Sequence, residues 1–322
     1  SLSKRDFSRV IKPLKLFGVN IKSKRNLLPI RICGAEFLRP ISYNEEIGSA
    51  QVKSCIILSA LNTPGVSIIN SRKSRNHTEL MLKFLNYPIQ VKKAKGYDKI
   101  LVKGLSQFKG FKYNIPGDIS SASFFIVLTL LSLKSQLIIK NVNVNKSRIG
   151  IISILNKMGA KIKVKKRKIY NGEEVASIHV ESKKILKGIN CPPKLNSSAI
   201  DEFLIIFLVA AKANGISYFN NLEELNQKES KRLNLGSKIL NLMGVKTKLT
   251  DNSIKIYGNP YLQVKKKCVI KNYLEDHRIM AMCTIAALSI GGKWEIHNPN
   301  SINTSFPSFF KILRKNFGAK II

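Results

Sequence analysis

The run Leu225-Asn226-Gln227-Lys228-Glu229-Ser230-Lys231-Arg232 sets Lys228 and Arg232 four residues apart, on one face if the run is helical, with Glu229 beside them. Such a run on its own is usually a solvated, ion-paired helix face. Two other groups sharpen it. Ile200-Asp201-Glu202 begins an otherwise apolar helix, and Asp276-His277-Arg278 heads another of Met, Ala, Ile and Leu. Carboxylates, an amine and guanidinium groups at such places could take a proton from a hydroxyl, return one to carbon and hold an anion. Two further runs suit anions at helix starts, where unsatisfied N–H groups and the helix dipole favour negative charge. They are Gly48-Ser49-Ala50-Gln51-Val52-Lys53-Ser54 and Ser74-Arg75-Asn76-His77-Thr78-Glu79. Plain alternatives stay open: capping and close packing for the Ser49 run, and simple packing for His277.

The elements that must position these residues recur. The periodicity predicts helices at Ser120–Ser132 and Ser147–Lys157, a strand at Gln136–Val142, and a glycine turn into a strand at Met158–Val164. The same order returns as a helix at Ala199–Ala213, a strand at Gly215–Asn220, a helix at Glu229–Leu242, and a turn and strand at Met243–Leu249. A third copy has a helix after Asp276, a strand at Gly292–His297, a helix from Pro307, and a turn and strand at Phe317–Ile322. A repeat at about 75 to 85 residues means one βα module used several times. The front holds less of it: a helix at Lys4–Leu16 before Phe17-Gly18-Val19-Asn20-Ile21, then helices at Ser49–Leu61 and Thr78–Leu85 around a strand at Gly65–Asn70, with a further strand after the second helix. The turn signal Asn114-Ile115-Pro116-Gly117-Asp118 divides the halves, 1–115 and 116–322. If the halves are alike, more than about a hundred residues are missing from the front.

Composition narrows the class. The 322 residues are 44% apolar, enough to bury a core and exclude general disorder, and they carry a formal charge of +36. An excess of that size points first to nucleic acid. However, 43 Lys against 12 Arg, spread through nearly every block and not interleaved with stacking aromatics, read better as a solvated background. The scarcer arginines are more informative about small anions. The apolar stretches 124–133, 203–211 and 279–290 fall short of the roughly 20 residues of a membrane span, so a soluble chain is expected. Cys33, Cys55, Cys191, Cys268 and Cys283 form no CxxC, so neither a zinc site nor a disulfide frame is indicated, and a reducing cytoplasm fits. The opening Ser1-Leu2-Ser3-Lys4-Arg5 has no initiator Met and no apolar signal core, which suggests a processed start or a fragment.

Taken in order, these strings resemble the 3-phosphoshikimate 1-carboxyvinyltransferase family, the 5-enolpyruvylshikimate-3-phosphate synthases. They are Ser1–Arg5, Ser49–Ser54, Ser74–Glu79, Pro116–Phe125, Ile200–Glu202, Glu223–Arg232, Asp276–Arg278 and Thr304–Phe310. The resemblance implies an α/β protein with the two-lobed enolpyruvyl transferase fold, built from repeated βαβαββ units around a cleft. The first lobe, 1–115, would be incomplete at about one and a half units, and the second, 116–322, would hold three. It implies transfer of the enolpyruvyl group of phosphoenolpyruvate to the 5-hydroxyl of shikimate 3-phosphate with release of phosphate, and no metal or cofactor.

Carried over by position, Asp201, Lys228 and Glu229 would be catalytic, with Asp201 accepting the hydroxyl proton. Arg5, Gln51, Arg232 and Arg278 would bind phosphoenolpyruvate. Ser49, Ala50, Gln51, Arg75, Asp201 and Lys228 would bind shikimate 3-phosphate. A cytoplasmic monomer with no membrane or nucleic-acid partner is expected. Asp6, Asn226, Lys231, Asn76 and Met280 stand where the family usually has Pro, Arg, Asp, Asp and Ala. The Lys231 change is expected to loosen the hold on Arg232. Competing readings are the related transferase acting on a UDP-amino sugar, a nucleic-acid-binding relative such as an RNA 3'-phosphate cyclase, and an inactive remnant.

Overall fold

The computed structural model describes residues 5–183 and 185–321; the predicted start of the first helix at Lys4, the string Ser1–Lys4 and the terminal Ile322 lie outside them. Contacts divide the chain into two compact units, one of residues 1–115 with 169–174, the other of 116–168 with 175–322. Among the described residues no helix is long and apolar enough to cross a membrane.

The first unit runs α1 (Ser8–Leu16), β1 (Asn20–Lys24), β2 (Leu27–Cys33), β3 (Ser42–Glu45), α2 (Ala50–Leu61), β4 (Val66–Arg72), α3 (His77–Phe84), β5 (Ile89–Lys93) and β6 (Tyr97–Lys103). β1 and β2 form an antiparallel pair, and the main sheet has the order β3-β4-β6-β5, with β3 parallel to β4 and the other pairs antiparallel. β4 alternates exposed and buried positions, as a half-buried strand must, and sends Ile69 into a core with Ile56, Ile57 and Ile100.

The second unit continues with α4 (Ile119–Leu131), β7 (Gln136–Asn143), α5 (Gly150–Lys157), β8 (Lys161–Tyr170), β9 (Glu173–Glu181), α6 (Asn196–Ala199), α7 (Phe203–Ala211), β10 (Gly215–Phe219), α8 (Arg232–Leu242), β11 (Thr247–Leu249), β12 (Ile254–Gly258), β13 (Cys268–Ile270), α9 (His277–Ile290), β14 (Trp294–Ile296) and α10 (Phe309–Phe317). Its sheets are β7-β9-β8, β10-β12-β11 and the parallel pair β13-β14. Helices α4, α7 and α9 are apolar nearly all round, and each packs against the other two in one core. A helix apolar on every face is stable only when enclosed. Every residue of α7 is buried.

Differences from the sequence reading fall at particular joints. The helix expected over Ala199–Ala213 is two, α6 and α7, separated by a turn at Ile200–Glu202. The helix expected from Glu229 starts at Arg232, after a 3-10 segment Glu223–Gln227. β9 was not foreseen, and the described residues 318–321 form no strand. The first helix begins at Ser8 because Asp6 accepts hydrogen bonds from the Ser8 amide at 2.7 Å and its hydroxyl at 3.0 Å, taking up an otherwise unsatisfied donor at this helix start.

Candidate active site

In the second unit the chain must bring charge to the starts of buried helices, and it does so with acids. Asp118 caps α4 through the Ser121 amide, Glu202 precedes α7, and Asp276 caps α9 through the Arg278 amide at 3.0 Å. Each acid has a basic partner. Arg148 Nη2 lies 2.7 Å from Asp118, Arg232 Nε donates to Asp276 Oδ2 at 2.8 Å, and Arg278 Nη1 lies 3.9 Å from Glu202 Oε1.

Three cations converge on Asp201. Arg232 Nη1 lies 3.5 Å, Lys228 Nζ 3.8 Å and Arg278 Nη2 3.9 Å from its carboxylate, and Arg278 Nη1 donates to its main-chain carbonyl at 2.9 Å. Arg232 is 1% exposed. Its Nη2 donates to Glu229 and to Asp276 Oδ1 at 3.2 Å, and Ser230 Oγ donates to Asp276 Oδ2 at 2.8 Å. Lys228 Nζ also donates to Glu224 at 3.0 Å. Thus Lys228 and Arg232 do not meet on one helix face. The irregular stretch 228–231 folds Lys228 back toward Asp201 while Arg232 opens α8, and Asn226 Oδ1 accepts from the Leu233 amide at 3.2 Å to cap that start.

Electrostatics follow the burial. Burial disfavours the charge on Arg232, but Asp276, Glu229 and Asp201 outweigh it and raise its pKa. Burial alone would lift Asp276; the Arg232 guanidinium, Ser230 and the Arg278 amide bring its pKa below the ordinary value. Burial, then Arg278, pushes His277 down, favouring a neutral imidazole. Lys231, expected to loosen the hold on Arg232, is exposed, and the carboxylates of Asp201, Glu229 and Asp276 lie against the guanidinium.

The first unit holds the other predicted residues. Glu45, at the end of β3 and 2% exposed, accepts from the amides of Ile47 at 3.1 Å, Gly48 at 2.9 Å and Ser49 at 3.0 Å, and from Ser71 Oγ at 3.1 Å. This carboxylate shapes the loop that enters α2. Gly48 has φ +79°, a conformation that side chains disfavour. Ser49 Oγ accepts from the Val52 amide at 3.4 Å, so the capping reading holds. Ala50 and Gln51 then occupy the first two helical positions, whose N–H groups have no intrahelical partner. Arg75 is half-buried in the loop before α3. The buried pair Lys53 and Glu79, 2.7 Å apart, and the hydroxyls of Ser54 and Thr78, also 2.7 Å apart, pin the start of α2 to the start of α3. Arg5 lies half-buried in a bend ahead of α1.

Sequence reasoning missed Glu45, Ser120, Arg148 and the partnership of Lys53 with Glu79. The signal for Glu45 was slight, an acid just before a glycine turn. Arg148 and Ser120 were visible only as one of the scarce arginines and as part of the Pro116–Phe125 string.

An α/β unit with three enclosed helices, whose starts gather acids and cations around one carboxylate, is built to handle anionic groups and protons together, as a group-transfer enzyme on charged substrates requires. The family model for EPSP synthase (3-phosphoshikimate 1-carboxyvinyltransferase) matches residues 1–313. The chain is 38% identical over 313 residues to the 3-phosphoshikimate 1-carboxyvinyltransferase of Ruthia magnifica subsp. Calyptogena magnifica, covering 97% of this chain and 70% of that one. With the protein of that name from Petrotoga mobilis it shares 36% over 319 residues, 98% of this chain and 72% of that one. Its fold matches EPSP synthase from Acinetobacter baumannii with a TM-score of 0.85 at 34% identity, over 98% of this chain and 71% of that one. The enolpyruvyl transferase NikO from Streptomyces tendae matches with a TM-score of 0.75 over 99% of this chain and 72% of that one, at 14% identity, a likeness of fold alone. The chain belongs to the EPSP synthase family and has the α/β enolpyruvyl transferase fold.

Proposed function

We propose that the residues gathered in each unit carry out the family reaction, transfer of the enolpyruvyl group of phosphoenolpyruvate to the 5-hydroxyl of shikimate 3-phosphate with release of phosphate. The observation that carries the residue assignment is the approach of Lys228, Arg232 and Arg278 to Asp201, each within 4 Å. Asp201 takes the proton of the attacking hydroxyl as its oxygen bonds to C2 of phosphoenolpyruvate, while C3 receives a proton from Lys228 or Glu229. In the second half a proton of the new C3 methyl returns to whichever of Lys228 and Glu229 delivered one, the C2–O bond to the phosphate breaks, and the enol ether and inorganic phosphate result. Arg5, Gln51, Arg232 and Arg278 hold the carboxylate and phosphate of phosphoenolpyruvate, for which planar guanidinium donors suit both anions. Ser49, Ala50, Gln51 and Arg75 hold shikimate 3-phosphate with Asp201 and Lys228. The N–H groups at the start of α2 support this, because a helix start favours a phosphate.

The working form in this reading is a cytoplasmic monomer without a nucleic-acid partner; the five free cysteines support the cytoplasmic part. Asp201→Asn and Lys228→Ala are each expected to lower turnover by about a thousandfold or more with the circular-dichroism spectrum unchanged. Near-normal turnover in either variant would remove that residue from the chemistry.

A further inference from the structure

Of the acids at the three buried helix starts, Asp118 pairs with Arg148 and Asp276 holds Arg232, whereas Glu202 has no role so far. It is 1% exposed. Its Oε1 accepts a hydrogen bond from the Ser120 hydroxyl, on the first turn of α4. The same hydroxyl accepts from Arg148 Nη2 at 2.8 Å, and that nitrogen also donates to Asp118 at 2.7 Å. On the other side Arg278 Nη1 approaches Glu202 Oε1 at 3.9 Å while donating to the Asp201 carbonyl. A buried carboxylate is costly unless it is partnered, and an apolar residue would suit the start of an enclosed helix better. Its placement therefore needs a reason beyond packing.

We propose that Glu202 is a positioning residue for the transfer reaction: anchored by Ser120 and Arg148, it orients the Arg278 guanidinium so that its other N–H groups meet phosphoenolpyruvate. The inference rests on the assignment of Arg278 to phosphoenolpyruvate. The groups that face Glu202 are Arg278 from α9, Ser120 from α4, Arg148 from the segment before α5, and the neighbouring Asp201. Burial pushes the Glu202 carboxyl above its ordinary value, and Arg278, Ser120 and Arg148 pull it only part of the way back.

Steady-state kinetics of the full chain, varying each substrate in turn, tests this with Glu202→Gln, which keeps the volume and an acceptor for Ser120. The KM for phosphoenolpyruvate is expected to rise about tenfold, with kcat and the KM for shikimate 3-phosphate within about threefold of wild type. Added to Arg278→Ala, the same change is expected to have no further effect, because it acts through that arginine. Ser120→Ala, which removes the anchor without touching the charge, is expected to raise the KM for phosphoenolpyruvate about threefold, and it decides the matter if Glu202→Gln does not fold. An unchanged KM for phosphoenolpyruvate, a parallel rise in both KM values, or a full additional loss on Arg278→Ala would overturn the inference while wild-type turnover leaves the functional reading intact. A wild-type chain that releases no phosphate would overturn that reading and the inference with it.

Discussion

Arg232 and Asp276 show how strongly a single buried pair can be specified. In the sequence Arg232 ends a run of charged residues that reads as surface, yet its guanidinium is enclosed and spans Asp276, Glu229 and Asp201. Nothing in the spacing reveals this, because its main partner lies 44 residues away. The pair has a signature in pH. Asp276 sits below its ordinary value of 3.8, since Arg232 and its hydrogen-bond donors outweigh the upward push of burial. A carboxyl with a depressed folded pKa contributes stability that is complete above the unfolded value and is lost as pH falls through the folded one. The unfolding free energy from urea titrations is therefore expected to hold level with respect to this group down to about pH 4 and to fall below it. Asp276→Asn is expected to be less stable by about 3 kcal/mol near neutrality and to lose less on acidification, because the enclosed arginine has lost its main counter-charge. An acid-side slope identical to wild type would refute this role for Asp276.

At the scale of elements, the helices with apolar periodicity and the glycine turns were legible, and the joints between them were not. The sequence reading joins Ala199–Ala213 because Ile200 and Phe203 fit one apolar helix; the turn exists because Glu202 must reach Ser120 while Asp201 faces the three cations. Likewise Lys228 was read onto the helix of Arg232, since helix spacing cannot express a cation that folds back before the helix begins. Lys53 was lost among many lysines, although it and Glu79 are almost wholly enclosed where α2 meets α3. Removing one partner of a buried pair strands the other. Lys53→Ala is expected to destabilise the protein by about 3 to 5 kcal/mol, whereas Lys53→Met with Glu79→Leu recovers most of the loss. Equal stability of Lys53→Ala and wild type in denaturant titration would mean that this pair does not fasten the two helix starts.

Across the whole molecule, the family and its α/β fold could be read from sequence, because strings such as Ser49–Ser54, Ile200–Glu202 and Asp276–Arg278 sit at helix starts or turns where few residue types serve. Three of the five departures from the family pattern find local partners: Asp6 meets Ser8, Asn226 caps α8, and Met280 is buried in α9, where Thr284 Oγ1 lies 3.4 Å from its sulfur. The +36 charge separates into lysines on exposed strands and a few placed cations, of which Lys53, Lys228, Arg148, Arg232 and Arg278 each face a carboxylate. The excess as a whole has no structural explanation.

Phosphorus NMR of the wild-type chain mixed with phosphoenolpyruvate and shikimate 3-phosphate reads the transfer reaction itself. The phosphoenolpyruvate signal is expected to decline while inorganic phosphate grows in equal amount, only when both substrates are present, and Asp201→Asn is expected to slow the conversion about a thousandfold or more. Persistence of both substrates with the wild-type chain, or phosphate released from phosphoenolpyruvate without shikimate 3-phosphate, would contradict it.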